Sequence, residues 1–127
     1  MKQLLYIAAI FMMISSCQEK KYGAFTVSGK ISNAPSKKIF LQELPFGGEQ
    51  PVILDSGTLK DNGNFELRAV AKEEALYRLV VEGGPDVLLV NDGKSIRVNL
   101  DVNNYRAYTV EGSEASESLH KLFEKFA

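Results

Sequence analysis

The sequence is poor in the side chains that carry redox and metal chemistry. It has one cysteine, Cys17, and one histidine, His120. A single thiol excludes an internal disulfide, a Cys-x-x-Cys redox pair and a multi-cysteine metal site, and a lone histidine lacks the partners of a zinc site. Together with the lack of any catalytic motif, this predicts no catalytic residue, no metal and no cofactor.

An excess of charge of one sign is also missing. The chain has 15 basic and 16 acidic side chains, well mixed along its length. A nucleic-acid-binding surface would usually show a basic stripe, so no nucleic-acid partner is predicted. Beyond the first 16 residues no apolar run is long enough to cross a membrane, and the remaining 127 − 16 = 111 residues suit one domain.

The N-terminus has the order of a secretory signal. Lys2 is followed by an unbroken apolar run at residues 4–14, which has the length of a signal-peptide core and is too short to span a bilayer. Small residues before a cysteine then resemble a bacterial lipobox. Its residues are Ile14, Ser15, Ser16 and Cys17.

The lipobox resemblance implies a lipid anchor. Residues 1–16 would be removed as a signal peptide, and the Cys17 thiol, the most easily alkylated ordinary side chain, would carry diacylglycerol. Residues 17–23 would then tether the domain to a membrane. By lipoprotein sorting rules, Gln18 after the cysteine favours the outer membrane, with the domain facing the periplasm.

Residues 24–112 alternate apolar and polar residues in short runs separated by turns. In one run, Phe65, Leu67 and Ala69 alternate with polar residues, as in a strand with one buried face. Residues 25–31 and 96–102 alternate in the same way. Further strands are predicted at residues 38–44, 52–59, 76–81 and 87–90, of which 87–90 is wholly apolar, and residues 105–110 are a candidate last strand. This spacing predicts a mainly β domain: an antiparallel β-sandwich or open barrel of short strands with one C-terminal helix.

Two turn sequences contain glycine after Asn or Asp, a pair that tolerates the positive φ angles of tight turns. The first is Asp61-Asn62-Gly63 and the second ends in Asp92-Gly93. Residues 52–70 are therefore predicted to form a β-hairpin, and residues 91–94 a second hairpin turn.

From residue 113 to residue 127 the apolar period becomes helical, with either Ser113 or Ser116 as a possible N-cap. The apolar stripe is Leu119, Leu122, Phe123 and Phe126. The stripe would either cover a sheet of this domain or dock a further domain or another chain. No C-cap precedes Ala127, so we expect a truncated helix or one that leads into a second domain.

Three other groups have a structural and a functional interpretation. Asp55, Ser56 and Asp61 form a polar cluster, but their expected role is to bond the backbone at a strand irregularity and a turn. His120 lies off the apolar stripe, so it is predicted to be exposed. Tyr105, Arg106 and Tyr108 could stack on a sugar or a peptide, although ordinary aromatic residues at a sheet edge are the favoured interpretation.

The order of these features resembles the DUF4369 domain. The residues that carry the resemblance are Phe25, Val27, Gly29 and Ile31; Ile39, Phe40 and Leu41; Leu54, Asp55 and Ser56; Asp61, Gly63 and Phe65; Leu76 to Leu79; and Val110 to Ser113. This family is found at the N-terminus of many envelope thioredoxin-like and peroxiredoxin-like lipoproteins. The resemblance implies an accessory domain, since the redox activity would need a Cys-x-x-Cys domain that this sequence does not contain.

The sequence thus leads to three hypotheses. The first is a non-catalytic, lipid-anchored accessory domain that positions or recruits a thioredoxin-like oxidoreductase. The second is an envelope binding protein for a peptide or glycan, with its site among loops 45–51, 82–86 and 103–108. The third is a truncated fragment with no independent role.

Overall fold

The computed structural model describes residues 23–126, which form eight strands, a 3₁₀ segment and one α-helix. The predicted signal peptide, the lipobox and most of the tether lie outside the described residues. The strands are β1 (Ala24–Ser32), β2 (Lys38–Leu44), β3 (Val52–Thr58), β4 (Asn64–Val70), β5 (Leu76–Val81), β6 (Asp86–Val90), β7 (Ser95–Asp101) and β8 (Thr109–Glu111). The 3₁₀ segment spans Val102–Ala107, and the helix α1 spans Glu114–Phe126.

The strands form two four-stranded sheets. One has the order β4-β1-β7-β8 and the other the order β3-β2-β5-β6. The predicted mainly β fold with one C-terminal helix is therefore confirmed, as a sandwich and not a closed barrel. One pair departs from the antiparallel expectation: β1 and β7 are parallel, with Val27 opposite Ile96.

The core lies between the sheets and is built by the alternation seen in the sequence. In β4, Phe65, Leu67 and Ala69 are buried while the residues between them are exposed. Across the core, the ring of Phe25 on β1 meets the ring of Tyr77 on β5 edge to face, with centroids 5.0 Å apart. Burial is the first and largest cause that raises the pKa of Tyr77, to about 12; Glu43 and Glu73 add to it.

The predicted hairpin at residues 52–70 is wrong, because β3 and β4 belong to different sheets. Gly63 has a φ of 87°, as a tight turn requires, but the turn carries the chain from one sheet to the other. Its carbonyl accepts a hydrogen bond from the Ile31 amide at 2.9 Å, which fixes the turn against the end of β1.

The predicted hairpin turn at residues 91–94 is also a crossing between sheets, from β6 to β7. Gly93 is needed there for space: a Cβ atom at this position would lie 1.9 Å from the carbonyl oxygen of Gly112. Three connections do join paired neighbours. They are loop 45–51 between β2 and β3, loop 82–85 between β5 and β6, and residues 102–108 between β7 and β8.

The register defines two ends of the sandwich. Gly23 and loops 45–51, 71–75 and 91–94 lie at one end. We call it the tethered end, because the predicted tether, residues 17–23, joins the domain there. The Ala71 amide donates to the Gly23 carbonyl at 2.9 Å and fixes where the chain enters. The opposite end, which we call the far end, contains loops 33–37, 59–63 and 82–85 and the 3₁₀ segment.

Candidate functional site

The helix α1 packs against β6 and β8, the edge strands on one side of the sandwich. Ser113 is its N-cap, since the Ser113 hydroxyl accepts the Ser116 amide at 3.0 Å. Ser113 and Ser116 are 3% and 0% exposed, so the start of the helix is buried. The capping serine that the sequence left open is therefore Ser113, and Ser116 has another role.

Ser116 joins the helix to the edge of the sheet. Its hydroxyl accepts the Val90 amide at 2.9 Å and lies 3.3 Å from the Val90 carbonyl oxygen. A hydroxyl can donate once and accept twice, so both contacts can be made at the same time. Ser116 thus bonds backbone groups of the edge strand β6 that no neighbouring strand pairs.

Asp92 supplies a second attachment from the crossing loop. One carboxylate oxygen accepts the Ala115 amide at 3.0 Å, and the other accepts the Ser113 hydroxyl in a short contact. A carboxylate at a helix N-terminus is favoured by the helix dipole. Gly93 and Gly112 let the two backbones approach closely enough for this contact. The start of α1 is consequently held by two separate parts of the chain.

The apolar stripe of α1 is only partly used by this packing. Leu119 is partly buried, whereas Leu122 and Phe123 remain 50% and 45% exposed. The Phe126 side chain lies outside the described residues. The helix therefore covers the edge of its own sandwich with one part of the stripe and presents another part to solvent.

A cavity of about 500 Å³ lies between α1, the 3₁₀ segment and the start of β6. This volume is within the range of small-ligand sites. The cavity is lined by Pro85, Asp86, Val87, Leu88, Leu100, Tyr105, Arg106, Ala107, Tyr108, His120, Phe123 and Glu124. Its wall is largely aromatic and aliphatic, and Asp86, Arg106 and Glu124 supply charge.

The cavity brings together two of the three loops that the sequence proposed for binding. Loops 82–86 and 103–108 both contribute residues to its wall. Loop 45–51 does not, because it lies at the tethered end of the sandwich.

The 3₁₀ segment is held in place by Asp101, whose carboxylate accepts the Asn103 amide at 2.9 Å and the Asn33 side-chain amide at 2.8 Å. The last strand predicted over residues 105–110 is therefore wrong at residues 105–107, which belong to the 3₁₀ segment, whereas residues 109 and 110 lie in β8.

The prediction that His120 is exposed is wrong. Its side chain is 16% exposed, and its ring stacks on Tyr108 with centroids 3.9 Å apart. The Nε2 atom lies 3.1 Å from the Arg106 carbonyl oxygen and 3.3 Å from the Glu124 carboxylate. Since both of these oxygens accept, Nε2 carries a proton and donates. His120 therefore fastens α1 to the 3₁₀ segment.

The electrostatics of this contact favour a neutral tyrosine. Burial first, and the nearby Glu124 carboxylate second, raise the pKa of Tyr108. An ordinary tyrosine is already neutral in neutral solution, and this shift moves its ionisation to still higher pH. The neutral ring of Tyr108 serves as a stacking surface for His120. The sequence alone could not show that His120 is packed, because this depends on the 3₁₀ segment lying against α1.

The polar cluster at residues 55–61 does not form one site. Asp55 accepts the Ser56 amide at 2.9 Å and the Arg68 amide at 2.8 Å, so it bridges the edges of β3 and β4. It adjoins a register shift at Leu41/Gln42. Asp61 instead forms an exposed ion pair with Lys37 at 2.9 Å, and the hydrogen bond and charge of Lys37 lower the pKa of Asp61.

Within residues 23–126 no three His, Cys, Asp or Glu side chains lie close enough to hold a metal ion. None of the helices in this part of the chain is both long and apolar enough to span a bilayer.

The chain is thus a two-sheet β-sandwich with a helix fastened along one side. A family model described as "Domain of unknown function (DUF4369)" matches residues 25–119, about three quarters of the sequence. The chain belongs to this family. Comparisons with curated proteins and with solved structures found no match.

Proposed function

We propose that the protein is a non-catalytic, lipid-anchored accessory domain that faces the periplasm and positions a thioredoxin-like thiol–disulfide oxidoreductase. The anchor is Cys17, and the surface that meets the partner is the exposed part of α1. One observation supports this partner surface: Leu122 and Phe123 are about half exposed on a helix whose start is firmly held.

This surface has the character of a protein interface. Apolar side chains that remain exposed beside a concave wall are typical of interaction sites, and aromatic residues often contribute much of the binding energy. Phe123 also lines the cavity, so a partner that packs on α1 would meet Tyr105 and Tyr108 as well. The oxidoreductase identity of the partner rests on the resemblance to the domain that precedes thioredoxin-like lipoproteins.

The test is capture of partners from envelope extracts by the tagged, full-length chain. We expect the wild-type protein to retain a protein that carries Cys-x-x-Cys, and the double variant Leu122→Ser/Phe123→Ser to lose it. The matched control is Glu66→Ala/Arg68→Ala, which changes an exposed salt bridge on the outer face of β4. Equal capture by all three proteins would contradict the proposed surface.

The cavity favours a second candidate function, the binding of a peptide or glycan. Tyr105 is 49% exposed in its wall, and Arg106 and Glu124 could bond polar groups of a ligand. Titration with peptide and oligosaccharide pools should shift the NMR signals of Tyr105 and Phe123 while leaving Glu66 unchanged. If no pool shifts these signals, the binding function is rejected.

A further inference from the structure

The exposed apolar side chains are not scattered over the surface. Among residues 23–126, eight large apolar side chains are exposed. Three belong to the cavity wall or to α1: Tyr105, Leu122 and Phe123. The other five lie at or near the tethered end: Phe46, Val52, Ile53, Val70 and Leu76.

These five residues project from several separate elements. Phe46 lies in the turn of loop 45–51 and is fully exposed, at 104%. Val52 and Ile53 begin β3, and Leu76 begins β5. Val70 ends β4 in the opposite sheet and is 76% exposed. Both sheets therefore carry apolar residues towards the same end.

The chain enters the sandwich at this same end. Gly23 is bonded to Ala71, and only six residue steps separate it from Cys17. A fully extended chain of six residue steps spans about 20 Å at most. β1 has nine residues and rises about 30 Å from the tethered end towards the far end. If Cys17 carries lipid, an inverted domain would place Gly23 farther from the bilayer than the tether can reach.

We infer that the tethered end rests on the bilayer surface, with Phe46 and its apolar neighbours in the interfacial layer. This inference rests on the proposed lipid anchor at Cys17. The two acyl chains expected on Cys17 would hold the chain at the bilayer. Burial of the exposed apolar side chains of the tethered end would add favourable free energy to this anchoring. Contact through these residues also fixes the orientation of the domain, so the cavity at the far end faces away from the membrane.

The charges at this end select the kind of membrane. Its loops carry Glu49, Glu73, Glu74 and Asp92 against Lys72 and Lys94, and the sequence of the tether adds Glu19 against Lys20 and Lys21. Five acidic and four basic side chains give no positive excess, so the contact is apolar and does not depend on anionic lipid. A bilayer with zwitterionic headgroups is therefore the surface that fits.

The sequence allows a direct test because it contains no tryptophan. Phe46→Trp and Tyr105→Trp each introduce one indole, at the tethered end and at the far end. Both positions are exposed. Each variant is expressed from the full-length sequence, purified from the cell envelope and reconstituted in phosphatidylcholine vesicles with brominated acyl chains, and attachment is measured by co-flotation. When the vesicles are added, we expect the tryptophan fluorescence of Phe46→Trp to shift to shorter wavelengths and to be quenched by the bromine atoms. The tryptophan fluorescence of Tyr105→Trp should be unchanged.

Each other outcome decides against the inference in a distinguishable way. Co-flotation with equal quenching of both variants, or with none, would leave the anchor standing and overturn the orientation. No co-flotation, with Cys17 unmodified by mass spectrometry, would reject the anchor and the inference together. Stronger quenching when phosphatidylglycerol partly replaces phosphatidylcholine would show a charge-driven contact and overturn the apolar one.

Discussion

Replacing Ser116 with alanine tests how α1 is held on the sandwich. The substitution removes the hydroxyl that accepts the Val90 amide at 2.9 Å and that lies 2.6 Å from the Ser113 hydroxyl. Ser116 is 0% exposed, so water cannot readily replace the lost partner. A buried donor left without an acceptor costs about 1–3 kcal/mol.

The matched control is Ser118→Ala in the same helix. Ser118 is exposed. Alanine is a better helix former than serine by roughly 0.5 kcal/mol, and this gain applies equally to both variants. The difference between the two free energies of unfolding therefore isolates the buried hydroxyl. We expect Ser116→Ala to be less stable than Ser118→Ala by about 2 kcal/mol.

Urea unfolding followed by circular dichroism measures this difference. With an m-value of about 2 kcal/mol per molar, the midpoint for Ser116→Ala should fall about 1 M below that of Ser118→Ala. The Leu122 and Phe123 surface should lose order at the same time, since α1 presents both residues. Identical midpoints would mean that the hydroxyl of Ser116 does not hold the helix, and the account of the docked helix would be wrong.

Three further predictions concern the turn, the anchor and the core. Gly63→Val should lower the melting temperature by roughly 10 °C or more. Residue 63 has a φ of 87°, and a Cβ atom there would lie 2.3 Å from the Ile31 carbonyl oxygen. An unchanged melting temperature in a thermal melt would refute this prediction. Cys17→Ala should leave an uncleaved precursor without label in cells fed radioactive palmitate, and normal processing would reject the lipobox. The raised pKa of Tyr77, about 12, means that the folded state retains a proton that the unfolded state loses near pH 10. Stability should therefore fall as the pH rises from 10 to 12, and Tyr77→Phe should flatten that fall in urea titrations; equal slopes in both proteins would contradict it.

Local structure could be predicted well from the sequence because it depends on local periodicity. The strands over residues 38–44 and 76–81 begin and end where the apolar pattern does. The helix follows from the spacing of its stripe, and α1 begins one residue after Ser113, one of the two serines predicted as possible caps. The fold class followed from the number and spacing of these elements.

The assignment of strands to sheets could not be predicted in the same way. A glycine with positive φ, such as Gly63, permits a sharp turn whether the chain returns along the same sheet or crosses to the other. The parallel pairing of β1 with β7 depends on contacts about 70 residues apart along the chain. No local pattern distinguishes these outcomes, and both predicted hairpins were wrong for this reason.

The candidate site was only partly accessible to sequence reasoning for a related reason. Tyr105, Arg106 and Tyr108 were recognised as a possible binding group, but their contact with His120 depends on where α1 is fastened. That position is set by Ser116, which bonds Val90, and by Asp92, which accepts the amide of Ala115 more than 20 residues further along the chain. The cavity is consequently a product of tertiary packing.

The most direct test of the proposed function is photocrosslinking from α1 in intact cells. Phe123 is replaced by p-benzoylphenylalanine in the full-length chain, and the same substitution at the exposed Glu66 on β4 is the control. We expect a crosslink from position 123, and none from position 66, to a protein or domain that carries a Cys-x-x-Cys pair. Crosslinks from both positions to the same proteins, or from neither, would contradict the proposal that α1 positions a thioredoxin-like partner.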